Sequence, residues 1–265
     1  MSGGKTIPMF QVDAFTDKLY GGNPAAVCLV NQWPSDAEML DIARENDLSE
    51  TAFLLRGAGG NELRWFTPGT EVDLCGHATL ATAFVYFNFI DKGAESVRFL
   101  TRTSGAVEVS RDGDLLVLDF PSRPPEPCAA PPALLKALGR EPRDVLASRD
   151  YMAVFDDESD VAALEPDMAA LAGLDRSGLI VTARGRSADF VSRYFAPAEG
   201  VPEDPVTGSA HCTLIPYWAG VLGKKSLTAR QISRRGGTLY CQDLGGRVAI
   251  AGRAVLYLEG RIFRG

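Results

Sequence analysis

The sequence predicts an α+β protein made of two similar halves, and three observations predict it. Residues 76–90 and 208–222 are apolar on nearly every face, which marks helices buried on all sides. Around each lie many short β-rich runs, without the even alternation of strand and helix that a doubly wound parallel sheet requires. Between the halves, residues 121–132 hold six of the 16 prolines. Proline fixes φ and removes a donor, so this stretch can continue neither helix nor sheet. It reads as a linker, 121–132, between half-domains 1–120 and 133–265, with room for the last strand to cross back to the first half.

In the first half, 7–15 alternates as a strand. A second strand at 25–30 is entered from a turn, Gly21-Gly22-Asn23-Pro24. Ser35-Asp36-Ala37-Glu38 is a capping box: Ser35 can accept from a free N–H and Glu38 can reach back, so a helix should run over 36–45. Strands at 51–55 and 63–66 precede the buried helix. Those at 97–101, 106–110 and 115–120 follow it, the last two joined by a turn at Arg111-Asp112-Gly113-Asp114. In the second half, short helices at 133–138 and 167–171 accompany strands at 152–155, 179–182 and 190–195. The helix at 208–222 closes at Gly223, which suits a left-handed C′ position, and Lys224 and Lys225 suit the negative end of its dipole. Pro216 should bend it. Strands at 231–233, 238–242, 248–251 and 254–258 complete the half.

A chain of 265 residues exceeds a typical domain of roughly 100–150 residues, and 46% hydrophobic residues can fill a core. A net charge of −7 and a pI near 5.0 argue against a nucleic-acid partner, whose phosphates need clustered Lys and Arg. No apolar run reaches the ~18–20 residues of a membrane helix, and the N-terminus lacks the apolar stretch of a secretory signal. Cys28, Cys75, Cys128, Cys212 and Cys241 are odd in number and widely spaced, with no C-x-x-C pair. Reduced thiols in the cytoplasm fit that pattern.

The openings of the two buried helices resemble each other. One reads Asp73-Leu74-Cys75-Gly76-His77-Ala78-Thr79, the other Pro205-Val206-Thr207-Gly208-Ser209-Ala210-His211. Aligned on glycine, both continue with a polar residue, Ala and a second polar residue, and the chain's only two histidines fall here. A helix N-terminus carries unpaired N–H groups and about half a positive charge. Glycine lets a ligand approach the backbone. Two such ends facing one cleft would grip a carboxylate and stabilise negative charge growing as a C–H proton leaves. Well-capped core helices would account for either segment alone.

Removing that proton needs a base in a site dry enough to raise its pKa toward neutrality. Glu50, just before an apolar strand, and Asp204, four residues before Gly208, are the candidates; each also reads as an ordinary loop acid. Cys75 at a helix N-terminus could serve as base or nucleophile, or be an inert buried thiol; its counterpart, Thr207, is a much poorer base. His77, His211, Cys75 and Cys212 lack a compact metal-ligand pair, so no metal is expected.

These segments, with Val12-Asp13-Ala14-Phe15-Thr16, Gly22-Asn23-Pro24-Ala25-Ala26-Val27, Leu48-Ser49-Glu50-Thr51, Arg193-Tyr194-Phe195-Ala196-Pro197, Glu203-Asp204 and Arg235-Gly236-Gly237, resemble the PhzF-like family, the phenazine-biosynthesis-type isomerases, over nearly the whole chain. The resemblance implies a diaminopimelate-epimerase-like fold, each half a barrel-like sheet around its central helix, with the site between halves. It implies no cofactor and often a homodimer, and the two helix openings point to a small carboxylate-bearing substrate. It carries over Glu50 as the main acid/base residue and His77, Asp204 and Ser209 as its partners. Gly76 and Gly208 carry over at the helix entrances, where Cys75, Ala78, Thr207 and Ala210 would line the substrate. The related epimerases use a cysteine at both entrances. Here only Cys75 remains, which favours isomerisation over inversion by two thiols. A racemase, epimerase or dehydratase using Cys75 and a non-catalytic carboxylate-binding protein are the alternatives.

Overall fold

The computed structural model describes residues 6–57 and 59–264. The chain divides into two compact units, Met1–Asp119 with Ala251–Gly265, and Phe120–Ile250.

The first unit contains β1 (Thr6–Ala14), β2 (Asn23–Val30), α1 (Asp36–Asn46), β3 (Glu50–Gly57), β4 (Gly60–Phe66), β5 (Glu71–Val72), α2 (Gly76–Val85), β6 (Ser96–Thr101), β7 (Ala106–Asp112) and β8 (Leu115–Pro121). The second follows with β9 (Glu126–Pro127), α3 (Pro132–Leu138), β10 (Asp144–Ala147), β11 (Tyr151–Val154), α4 (Glu158–Ala162), α5 (Met168–Ala172), β12 (Leu179–Arg184), β13 (Phe190–Ala196), β14 (Val201–Asp204), α6 (Gly208–Leu222), β15 (Ser226–Gln231), β16 (Gly237–Asp243) and β17 (Arg247–Gly252). The last strand, β18 (Ala254–Phe263), belongs to the first unit and pairs antiparallel with β1.

Strand register shows that the halves repeat one plan. In the first, β2 runs parallel to β3, β3 antiparallel to β4, and β4 parallel to β6 across the crossover helix α2; β6 is antiparallel to β7. In the second, β11 is parallel to β12, β12 antiparallel to β13, β13 parallel to β15 across α6, and β15 antiparallel to β16. Even an ion pair recurs. Arg64 of β4 grips Glu71 of β5 through two bonds of 2.7 Å, and Arg193 of β13 grips Glu203 of β14 at 2.7 and 3.0 Å. Each guanidinium also lies over a phenylalanine two residues on, Phe66 at 5.2 Å and Phe195 at 4.9 Å. The short strand leading to each buried helix is thereby pinned to its neighbour by a bidentate pair.

The α+β class is as the sequence predicts, and both helices are buried on nearly every face. Several elements differ. The first buried helix is α-helical only to Val85; Tyr86–Ile90 is a π turn, closed by the Asp91 N–H donating to the Tyr86 carbonyl at 2.8 Å. The wider turn buries Phe87 while Phe89 packs on Phe10, ring centroids 4.7 Å apart. Ser35 accepts from the Glu38 N–H at 3.1 Å, but the Glu38 carboxylate binds Arg264 instead of reaching back. Asn23 and Pro24 lie in β2 rather than in the turn before it. The strand expected at 231–233 lies at Ser226–Gln231, and β10, β14 and α4 carried no sequence expectation. Within 121–132, Glu126 and Pro127 pair with β10 in the second unit. No helix among the described residues is long and apolar enough to cross a membrane.

Candidate active site

In the first unit, Glu50, Cys75 and His77 come together. Their convergence follows from register. Strands β2 and β3 are parallel, with Ala25 opposite Glu50, so Asn23 and Glu50 open neighbouring strands at the same end. Gly22 makes this possible: its φ is +60°, and a Cβ there would lie 2.1 Å from the Ala14 carbonyl oxygen. Helix α2 packs on β2 and starts with Gly76-His77.

The His77 ring lies between its neighbours. Nε2 is 3.0 Å from Glu50 Oε2, while Nδ1 is 3.1 Å from the Asn23 side-chain amide and 3.5 Å from Cys75 Sγ. Asn23 and His77 are buried, and the Glu50 side chain is only 15% exposed. Among the described residues, neither Nε2 nor Oε2 has an aligned hydrogen-bond partner beside that 3.0 Å approach. Burial pushes the Cys75 thiol up to about 11, and the Glu50 carboxylate adds to that, so the thiol is protonated at neutral pH. Burial alone would push His77 down, but Cys75 and Glu50 outweigh it and hold its pKa well above that of a free imidazole.

Donor atoms of Glu50, Cys75 and His77 lie within 4.8 Å of one another, a convergence that sequence spacing did not reveal. A thiolate, an imidazole and a carboxylate are fair zinc ligands. Here, however, the ring stands between the other two, Nδ1 toward the thiol and Nε2 toward the carboxylate.

In the second unit, Asp204 ends β14 and the chain turns through Pro205 to Thr207 into α6. The Thr207 hydroxyl donates to Asp204 Oδ2 at 2.5 Å. Gly208, Ser209 and Ala210 form the first helical turn, with Ser209 half-buried and the other two buried. His211 donates from Nδ1 to the Thr207 carbonyl at 2.8 Å, and burial pushes its pKa down to about 4, so it is a neutral core residue. Sequence reasoning missed two buried amides, Asn23 beside His77 and Gln231 beside Thr207.

Side-chain capping differs among the helices. Ser35, Asp157 and Asp167 cap α1, α4 and α5 with side-chain oxygens. Neither Cys75 nor Thr207 caps its helix, because a thiol is a weak acceptor and the threonine hydroxyl is turned to Asp204. The two openings singled out in the sequence are therefore left without a side-chain cap, as is the short α3 that follows Pro131. A surface cavity of about 230 Å³ beside Arg64, Trp65 and Arg102 includes none of Glu50, Cys75 and His77.

Comparison with known proteins places the chain. A profile of the phenazine biosynthesis-like protein family matches residues 12–260. An uncharacterized isomerase of Pseudomonas aeruginosa is 54% identical over 97% of this chain and 98% of its own. A solved PhzF-family phenazine biosynthesis protein from Enterococcus faecalis matches with a TM-score of 0.94 at 45% identity, covering 98% of this chain and 100% of that one. A hydroxyproline epimerase from Agrobacterium vitis shares the fold alone, with a TM-score of 0.62 at 12% identity over 99% of this chain and 94% of that one. Fold and relatives together define an isomerase. The chain belongs to the PhzF-like family.

Proposed function

We propose that the protein isomerises a small carboxylate-bearing substrate by general acid/base catalysis, with Glu50 as the base. The observation that carries this is the meeting of Glu50 and His77 at the opening of a buried helix that lacks a side-chain cap. First-turn amides of α2 would hold the substrate carboxylate and the enolate-like charge that follows C–H cleavage. Glu50 takes the proton as the C–H bond breaks, and its neutral acid returns it to another carbon as the double bond shifts. His77 faces the carboxylate and stabilises its ionised form before and after the cycle. Asp204 and Ser209, at the opening of α6, are further acid/base and substrate-holding groups in this proposal. Every proton transfer runs through a side chain, and none requires a cofactor.

The test incubates the protein in D2O with a panel of small hydroxy, amino and unsaturated carboxylic acids and follows deuterium uptake by mass. Wild type should label at least one compound. Glu50→Gln should fold and bind it but lose labelling by roughly 100-fold or more, the usual weight of a general base. Unchanged labelling would exclude Glu50.

A second reading is favoured by Cys75, whose thiol lies against His77. Protonated near pH 7, it would act as proton donor on a second face, giving epimerisation. Loss of labelling in Cys75→Ala with Glu50 intact would support it. Binding without labelling across the panel would support a non-catalytic carboxylate-binding protein.

A further inference from the structure

We propose that Gln231 is a positioning residue that aims the Thr207 hydroxyl at Asp204 and so keeps the opening of α6 free of a side-chain cap. This rests on the role given to Asp204 above.

Gln231 is the last residue of β15 and is buried, 1% exposed. Its Oε1 accepts from the Thr207 backbone N–H at 2.8 Å. Its Nε2 donates to the Asp204 carbonyl at 2.8 Å and to Thr207 Oγ1 at 3.2 Å. A backbone N–H can only donate and a carbonyl can only accept, so the amide has one orientation. Nε2 then occupies an acceptor site of the threonine oxygen, and the hydroxyl proton goes to Asp204 Oδ2. The result is a directed chain from Gln231 through Thr207 to Asp204. It uses the hydroxyl that would otherwise serve as an N-cap, the role such residues commonly fill.

The repeat isolates what Gln231 adds. Ser104 donates to the Asp73 carbonyl at 2.9 Å, three residues before Gly76, and Ser233 donates to the Pro205 carbonyl at 2.7 Å, three residues before Gly208. That anchor is common to both halves. The last residue of β6, where the first half has the counterpart of Gln231, is Thr101, and its hydroxyl turns to the Gly105 carbonyl. The amide clamp thus accompanies the half with a carboxylate four residues before the helix glycine, Asp204, where the first half has Val72.

The test compares full-length wild type, Gln231→Glu, Gln231→Met, Thr207→Val and Asp204→Asn by thermal melting and by kcat and KM for deuterium uptake into the compound labelled in the panel. Gln231→Glu keeps the acceptor for Thr207 N–H but removes both donors, so the hydroxyl should swing toward residue 231. Its kcat should fall roughly 10- to 100-fold, the size of a misaligned reacting group, with a smaller change in KM. Thr207→Val should cost about the same, and the two changes combined should cost no more than either alone. Both Gln231 variants folding with wild-type kcat would overturn the proposal. So would both failing to fold, which would make the residue structural. Unchanged kcat in Asp204→Asn would instead overturn the reading on which the proposal rests.

Discussion

His77 and His211 hold opposite electrostatic positions, and the signs give opposite pH dependence. His211 is depressed to about 4 by burial, against about 6.5 in an unfolded chain. Between those values the unfolded state binds the extra proton, so stability falls with pH, by roughly 3 kcal/mol in all. His77 is raised, so its contribution is present below about 6.5 and is lost as pH rises through its folded value. As the chain has only 2 histidines, ring 15N spectra can follow both. His211 should stay neutral, with its proton on Nδ1, down to pH 5, while His77 should titrate above the range of a free imidazole. His211→Gln should flatten the acid side of the stability curve. A His211 that titrates near 6.5 would contradict its burial. Glu50, His77 and Asp204 were legible because the sequence around them is distinctive. Asn23 and Gln231 were not, since each amide matters only through partners 54 and 24 residues away.

Helix α6 was legible at both ends, since Gly208 and Gly223 mark the points where the backbone changes course, the latter at φ +65°. The end of α2 was hidden, because apolar residues continue past Val85 and a π turn leaves no compositional mark. Strand β15 was misplaced because alternating Ser226, Thr228 and Arg230 on its exposed side dilute the apolar signal of Leu227 and Ala229. Glycines at element ends also differ in consequence. Gly139 closes α3 at φ +62° with nothing within 4 Å of an added Cβ, so Gly139→Ala should cost about 1 kcal/mol, the ordinary strain of that backbone region. Gly22→Ala adds a clash with backbone that cannot move aside, and should cost about 3 kcal/mol or more while displacing Asn23 from His77. Denaturant melts of the two variants check this; equal losses would mean that the close approach at Gly22 is not maintained.

The repeat organises the whole molecule, yet the sequence disclosed only its most chemical part, the two glycine-marked openings. Arg64-Trp65-Phe66-Thr67-Pro68 and Arg193-Tyr194-Phe195-Ala196-Pro197 occupy matching strands and make matching ion pairs, a correspondence visible only once β4 and β13 are aligned by register. The repeat also shows where the halves diverge. Glu50 opens β3, whereas Leu179 opens the equivalent β12, so the base proposed here belongs to one half alone. Both long helices, by contrast, begin without a side-chain cap, and at α2 this opening is what the account assigns to carboxylate binding. The most direct measurement is a titration of 15N-labelled protein with the acid that takes up deuterium, following backbone amides. The account predicts saturable shifts at residues 76–78, larger than elsewhere in α2. Binding that saturates while those amides stay fixed would contradict it.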